Sequence, residues 1–232
     1  MSQTDPALVF NKEHAAQYDT RFGRANLFRD VIHLVTDFSF VALPEDARIL
    51  VVGAGTGMEI LGLAARHPGW HFTAVDPAGA MLDVFREKAQ TAGILSRCDI
   101  HEGYLDTYRE TPLHDAAMSL LVSHFLQTDS ARGAFFAQIA ARLKPGGLLV
   151  NADLAANLTN PANQRVFAAW KQMMTESGAS AESLENYRAG FGRDFAVQTP
   201  SAVETLMKEN GFAPPSLLLQ TLLIRTWLTS KA

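Results

Sequence analysis

The chain has 232 residues, 47% of them hydrophobic and 19% charged, and a formal net charge of -4. That is enough apolar material for one large domain with a buried core, and the mild negative charge excludes a global basic field that would gather nucleic acid regardless of sequence. A lone cysteine, Cys98, excludes an intramolecular disulfide framework and fits a reducing compartment, with a small buried hydrophobe as its expected role.

The amino-terminal MSQTDPALVF lacks the basic start and continuous apolar core of a secretory signal, which points to the cytoplasm. Residues 1–43 are expected to form a helical cover, because Phe28, Val31, Ile32, Val35 and Phe38 recur at helical spacing before Pro44 breaks the pattern. From Arg48 strands and helices alternate. RILVV, HFTAV, CDIH, DAAMSLLV and LLVNADL read as strands, the last following the turn Pro145-Gly146-Gly147; helices are expected over about 58–66, 78–92 and 130–143. Such alternation over 48–154 predicts parallel strands joined by right-handed crossovers, with helices on both sheet faces.

After Leu154 the rhythm fails. Residues 155–211 show helical patterns around 164–176 and 203–209 and read as a helical insertion. It leaves from the carboxyl end of a strand, where open α/β sheets bind ligands, so a lid over a pocket is the expected role and plain packing on a sheet face the alternative. Two strand-like runs within 215–230, PSLLLQ and TLLIRTWLT, close the chain, and their brief join permits antiparallel neighbours. This greasy end is interrupted by Gln220 and Arg225 and is too short to span a bilayer.

The stretch ILVVGAGTGMEI runs a strand through Gly53, Ala54, Gly55, Thr56 and Gly57 into a helix. A dinucleotide fingerprint would place its third glycine where Met58 stands, and no Gly-Lys-Ser/Thr follows to make a P-loop. What survives is a turn that lets backbone approach a ligand closely and opens a helix whose dipole favours an anion, a carboxylate as readily as a phosphate. Asp76 ends the second strand about 20 residues on, the usual place for an acid that holds a ribose diol. Asp before Pro at a helix start is also good capping chemistry; the distance from the glycine turn favours the ribose.

Together these segments resemble the class I S-adenosylmethionine-dependent methyltransferases over roughly 49–154. VVGAGTG is similar to the family's first motif and FTAVDPAGAML to its second. HEGYLDTY stands at the adenine-side loop, HDAAMSLLVSHFL at the fourth strand and its loop, and LKPGGLLVNADL at the LxPGG turn and fifth strand. The resemblance implies a Rossmann-like three-layer α/β sandwich whose seven-stranded, mostly parallel sheet has its last strand antiparallel, with the helical insertion before the last two strands. It implies S-adenosylmethionine as cofactor, with Gly53, Ala54, Gly55 and Gly57 around the methionine half and Asp76 on the ribose. Pro77, Met81, Gly103 and Tyr104 would lie on the adenine side, and Leu121 would complete the cofactor site. Two positions depart from the family: the acid often found two places before the first glycine is Val51, and the Asp that often follows the third-strand glycine is Tyr104. The later PSAVETLMKENGF, with the closing strands, is similar to carboxy-S-adenosylmethionine synthase, a methyltransferase-like enzyme that uses prephenate. That alternative would make the carboxylated derivative the ligand, with Arg188 and Arg193 the candidates for the substrate anion.

Methyl transfer from a sulfonium is an in-line displacement, so catalysis needs chiefly an acceptor held near and in line, and a base only where the nucleophile starts protonated. His124, in the loop after the fourth strand, is the candidate base; a histidine satisfied locally beside Phe125 is the alternative. Tyr18, Phe22 and Phe125 are candidate aromatic walls of the substrate pocket; anchoring of the amino-terminal segment to the core is the equal alternative for Tyr18 and Phe22. No metal site stands out, since Pro68 and Gly69 separate His67 from His71 and the pair His101-Glu102 lacks partners. The fourth strand lacks the Asp/Asn-Pro-Pro-Tyr/Phe signature of relatives that methylate base or amide nitrogens, so a small molecule is the expected acceptor and nucleic acid is not. A homodimer is compatible with this reading. A non-catalytic cofactor-binding partner subunit and, last, a nicotinamide oxidoreductase are the competing classes.

Overall fold

Strands β1 (Arg48–Val52), β2 (His71–Asp76), β3 (Cys98–Glu102), β4 (His114–Leu120) and β5 (Leu143–Leu154) form where the apolar runs of the sequence lie. In the computed structural model, which describes residues 11–20, 23–109, 112–190 and 195–232, they join β6 (Ser216–Thr221) and β7 (Ile224–Ser230) in one seven-stranded sheet of order β3-β2-β1-β4-β5-β7-β6. The first five strands are parallel, and β7 runs antiparallel to both β5 and β6. Leu222, with φ 52°, makes the tight left-handed turn between β6 and β7. Strand order reverses at β1, whose neighbours are β2 and β4, and this switch point opens a crevice at the strands' carboxyl ends.

The period-2 alternation of each strand sends its side chains into two cores. From β1, Ile49 and Val51 enter one core with Ile60, Leu82 and Phe85, while Leu50 and Val52 enter the other with Phe136, Ile139 and Trp227. Helices α3 (Met58–Arg66) and α4 (Gly79–Thr91) cover the first face; α5 (Asp129–Arg142) and α8 (Pro200–Glu209) cover the second. The three-layer sandwich is the architecture the alternating pattern and the family resemblance imply. Helix α5 starts where Thr128 accepts the Ala131 N–H at 3.1 Å, and α8 starts where Thr199 accepts from Ala202 at 3.3 Å. The α8 cap, with Pro200 in the first turn, explains a start three residues before the apolar pattern begins. Cys98 is half-buried, and burial pushes its thiol up to about 11, so it behaves as an inert filler.

Ahead of the sheet lie α1 (Lys12–Gln17) and α2 (Asn26–Ser39). Within the helical cover expected over 1–43, of which residues 1–10 and 21–22 lie outside the described residues, the helix at 26–39 buries Ile32, Thr36 and Asp37, whereas Val31 and Phe38 point outward. The insertion holds α6 (Pro161–Glu176) and a helix the apolar pattern does not reveal, α7 (Ala181–Gly190). Val166 and Phe167 of α6 pack with Leu154, Leu158, Leu223 and Ile224 at the carboxyl end of β5. A Cβ added at Gly23 would lie 3.2 Å from the Ser177 carbonyl oxygen, so the amino-terminal turn and the insertion are in contact. Among the described residues no helix is long and apolar enough to cross a membrane.

Candidate active site

Beyond β1 the chain turns through Gly53, Gly55 and Gly57 with φ of 78°, 51° and 70°, a left-handed region that disfavours side chains. Space demands glycine as well. A Cβ at Gly53 would lie 2.2 Å from Val122, and one at Gly57 2.0 Å from the Phe85 ring. The amides of Gly53 and Ala54 donate to the Val75 carbonyl at 2.8 and 3.2 Å, which ties the turn to β2. Asp76 is nearly buried at the end of β2; one carboxylate oxygen accepts the Gly55 N–H and the other the Ala78 N–H, each at 2.8 Å. Burial raises its pKa, and the two backbone donors oppose that rise. Asp76 does cap, but it caps the turn at Pro77 and Ala78; helix α4 has no side-chain cap.

The amino-terminal segment roofs this cradle. Ala15 and Tyr18 pack on Ala78, Met81 and Val84. Asp19 accepts a hydrogen bond from the Thr56 hydroxyl at 2.6 Å and pairs with Lys88, pinning the roof to the glycine turn and to α4. Burial, then the carboxylates of Glu59, Asp76 and Asp19, push the Tyr18 hydroxyl up to about 12. Glu59, in the first turn of α3, is driven up to about 7 by burial, with Asp76 and Asp19 adding to the rise. A cavity of about 200 Å³ between α2 and α3, lined by Asp30, His33, Glu59 and Arg66, adjoins this cluster only through Glu59. On the adenine side predicted from the sequence, the Gly103 N–H donates to the Asp76 carbonyl at 3.0 Å, and Tyr104 is exposed at the rim.

Across the crevice, Leu121, just past β4, takes φ 63° and donates its N–H to the Ala152 carbonyl at 2.8 Å. The loop that follows buries Ser123 and His124. His124 Nδ1 lies 2.7 Å from Asp153 Oδ1, and the carboxylate, an obligate acceptor when ionised, makes Nδ1 the protonated nitrogen and Nε2 the free lone pair. Asp153 is fully buried and is further held by the Ser123 hydroxyl and the Leu154 N–H. The rings of Phe125 and Phe195 flank the imidazole, with centroids 4.6 and 5.8 Å away. Arg132, fully buried in α5, donates to the carbonyls of Ser123 at 3.0 Å and Ala196 at 2.8 Å and to Gln198 at 2.6 Å. Together with the bond from Ala196 N–H to the His124 carbonyl at 2.7 Å, this clamps the His124 loop to segment 195–198.

The structure thus brings the glycine turn, Asp76, Met81 and Tyr18 together on one side, and Leu121, His124 and Phe125 at the end of the neighbouring β4. Phe22 and Arg193 lie outside the described residues, as does the side chain of Arg188. The pattern missed Asp153, Arg132, Asp19 and Glu59. Asp153 carried a signal, since an acid inside the apolar run LLVNADL must be buried, and a buried carboxylate requires donors. His67 and His101 are engaged otherwise, the first with Asp37 and the Trp70 ring, the second with Thr107. The cradle fits a nucleoside carrying an amino acid: bare backbone at a helix start, an acid at the end of β2, and Met81 beside the glycines.

Residues 49–147 match the methyltransferase domain family. Over 190 residues the chain is 22% identical to the carboxy-S-adenosyl-L-methionine synthase of Alteromonas mediterranea, a match spanning 80% of this chain and 76% of that protein. An O-methyltransferase family protein from Burkholderia thailandensis shares the fold with a TM-score of 0.65 and 16% identity, over 95% of this chain and 59% of that one. Human N-acetylserotonin methyltransferase, solved in complex with SAM, shares it with a TM-score of 0.63 and 15% identity, over 96% of this chain and 57% of that one. At these identities the likeness is one of fold, and the chain spans less than two thirds of the length of both structures.

Proposed function

We propose that the protein transfers a methyl group from S-adenosylmethionine to a small molecule whose nucleophile starts protonated. The observation that carries the reading is the His124–Asp153 dyad at the end of the strand beside the glycine cradle. Gly53, Ala54, Gly55 and Gly57 would lie along the methionine half of the cofactor, Asp76 would accept from the ribose hydroxyls, and Pro77, Met81, Gly103 and Tyr104 would border the adenine. Bound there, the cofactor would supply an electrophilic methyl on a sulfonium with a good leaving group. Asp153 holds the imidazole in one tautomer, His124 Nε2 takes the acceptor's proton, and the buried carboxylate stabilises the resulting imidazolium. Tyr18, Phe125 and Phe195 wall the pocket and exclude water. The amino-terminal segment packed on Ala78, Met81 and Val84 supports a small acceptor over nucleic acid, and the lone cysteine is consistent with a cytoplasmic setting.

Carboxy-S-adenosylmethionine synthesis is the second reading, favoured by a similarity that spans 80% of the chain. Native mass spectrometry of the purified protein separates the two, because the carboxylated ligand is heavier by one carboxylate; a co-purifying nicotinamide dinucleotide would overturn both. In calorimetry Asp76→Ala should bind S-adenosylmethionine severely less well. Asp76→Asn keeps an acceptor for the turn and controls for folding. Unchanged affinity in both variants would refute the ribose assignment.

A further inference from the structure

Helix α2 carries on its outer face a stripe that the sheet does not use. Leu27 is 62% exposed, Val31 38%, Leu34 52%, Phe38 67% and, just past the helix end, Val41 78%. The steps between them alternate four and three residues, the repeat of a helix–helix seam, whereas Ile32, Thr36 and Asp37 on the opposite face are buried against the rest of the protein. Together the five leave about 500 Å² of mostly apolar surface in water, within the upper part of what monomers tolerate.

The stripe is a ridge, so its partner must bring apolar side chains on a helix of its own. A lipid surface is disfavoured, because membrane-lying helices are rich in Lys and Arg on the polar face, and the cation that α2 carries, Arg29, pairs with Asp30. A second copy meets the requirement, and two stripes face to face would bury up to about 1,000 Å², the least that a specific interface needs. An antiparallel arrangement sets Leu34 against its own counterpart, Val31 opposite Phe38 and Leu27 opposite Val41. Small side chains then face large ones, and the helix dipoles oppose. A parallel pair would instead stack Phe38 on Phe38.

We propose that α2 is the seam of a homodimer in which two copies pack this helix antiparallel, with Leu34 at the two-fold axis. Sedimentation velocity of the full chain at roughly 10–100 µM, where even a micromolar interface is populated, should give a species of twice 25.3 kDa. Leu34→Glu and Phe38→Glu change exposed residues. They should run as monomers, with the dissociation constant raised at least about a hundredfold by the facing carboxylates, while circular dichroism stays as in the wild type. In a Cys98→Ser background, Leu34→Cys should cross-link to itself on mild oxidation, and a mixture of Val31→Cys and Phe38→Cys chains should form the mixed species. A wild type that remains monomeric overturns the proposal, as does a dimer that survives Leu34→Glu. Efficient Phe38→Cys self-linking without Leu34→Cys linking overturns the antiparallel arrangement.

Discussion

Replacing Gly57 by Ala adds one carbon at the tightest point of the glycine turn. The added Cβ would lie 2.0 Å from Cδ2 and 2.5 Å from Cε2 of Phe85, a ring that is fully buried in the core formed with Ile60 and Leu82 and cannot swing away. Overpacking of this kind costs roughly 1–3 kcal/mol, and a side chain at φ 70° adds roughly 1–2 kcal/mol. Gly146 supplies the control. Its φ is 72°, nearly that of Gly57, but nothing lies within 4 Å of an added Cβ. Gly146→Ala therefore carries only the left-handed penalty, partly offset by a stiffer unfolded chain. Urea denaturation should show Gly57→Ala less stable than Gly146→Ala by roughly 1–3 kcal/mol, the cost of the Phe85 contact alone. Equal destabilisation of the two variants would show that the turn does not close on Phe85, and the cradle geometry would fall with it.

Two further predictions probe the acids. Asp153→Asn keeps the shape of the side chain but removes the charge that fixes the His124 tautomer. With the best acceptor from a panel of small hydroxyl compounds, release of S-adenosylhomocysteine should drop at least about a hundredfold with cofactor affinity unchanged; full activity would reduce the dyad to a structural contact. Glu59 has a folded pKa of about 7 against an ordinary 4.5, so its contribution to stability is present below pH 4.5 and is lost as pH rises through 7. Glu59→Gln should match the wild type near pH 4 and exceed it by roughly 3 kcal/mol above pH 7. Parallel stability profiles would show that this carboxylate is not desolvated.

What the sequence makes legible is what is encoded locally. The central strands read clearly because β1 and β4 are buried on both faces and appear as continuous apolar runs. Helix α7 does not, since AESLENYRAG has no apolar stripe to betray it. The outward turn of Val31 and Phe38 is invisible to periodicity, which finds an apolar face without saying what covers it. The glycine cradle and Asp76 belong to contiguous motifs and were readable for that reason. Only half of the dyad was. Asp153 lies 29 residues beyond His124, and the two meet because β4 and β5 pair in parallel with Leu120 beside Ala152. Register of that kind is a tertiary fact, and no single strand displays it.

Val51 shows how the structure redistributes charge around the cradle. Its side chain belongs to the apolar core with Ile60 and Phe85, so β1 contributes no acid. The carboxylates near the turn come instead from Asp19 in the roof and Glu59 in α3; both push the Tyr18 hydroxyl up, and Asp19 with Asp76 adds to the rise at Glu59. Burial and the nearby carboxylates of Asp76 and Asp19 raise the cost of ionising Glu59, and a bound cation would relieve it. If the proposed cofactor places its ammonium group beside Glu59, binding must lower the pKa of that carboxylate from about 7. At pH 7 roughly half a proton would then leave per cofactor bound. Calorimetry in buffers of different ionisation enthalpy measures that release directly. Glu59→Gln should abolish it while leaving the Asp76 contacts in place. Proton release that is absent in the wild type, or that persists in Glu59→Gln, would show that the ammonium group is held elsewhere.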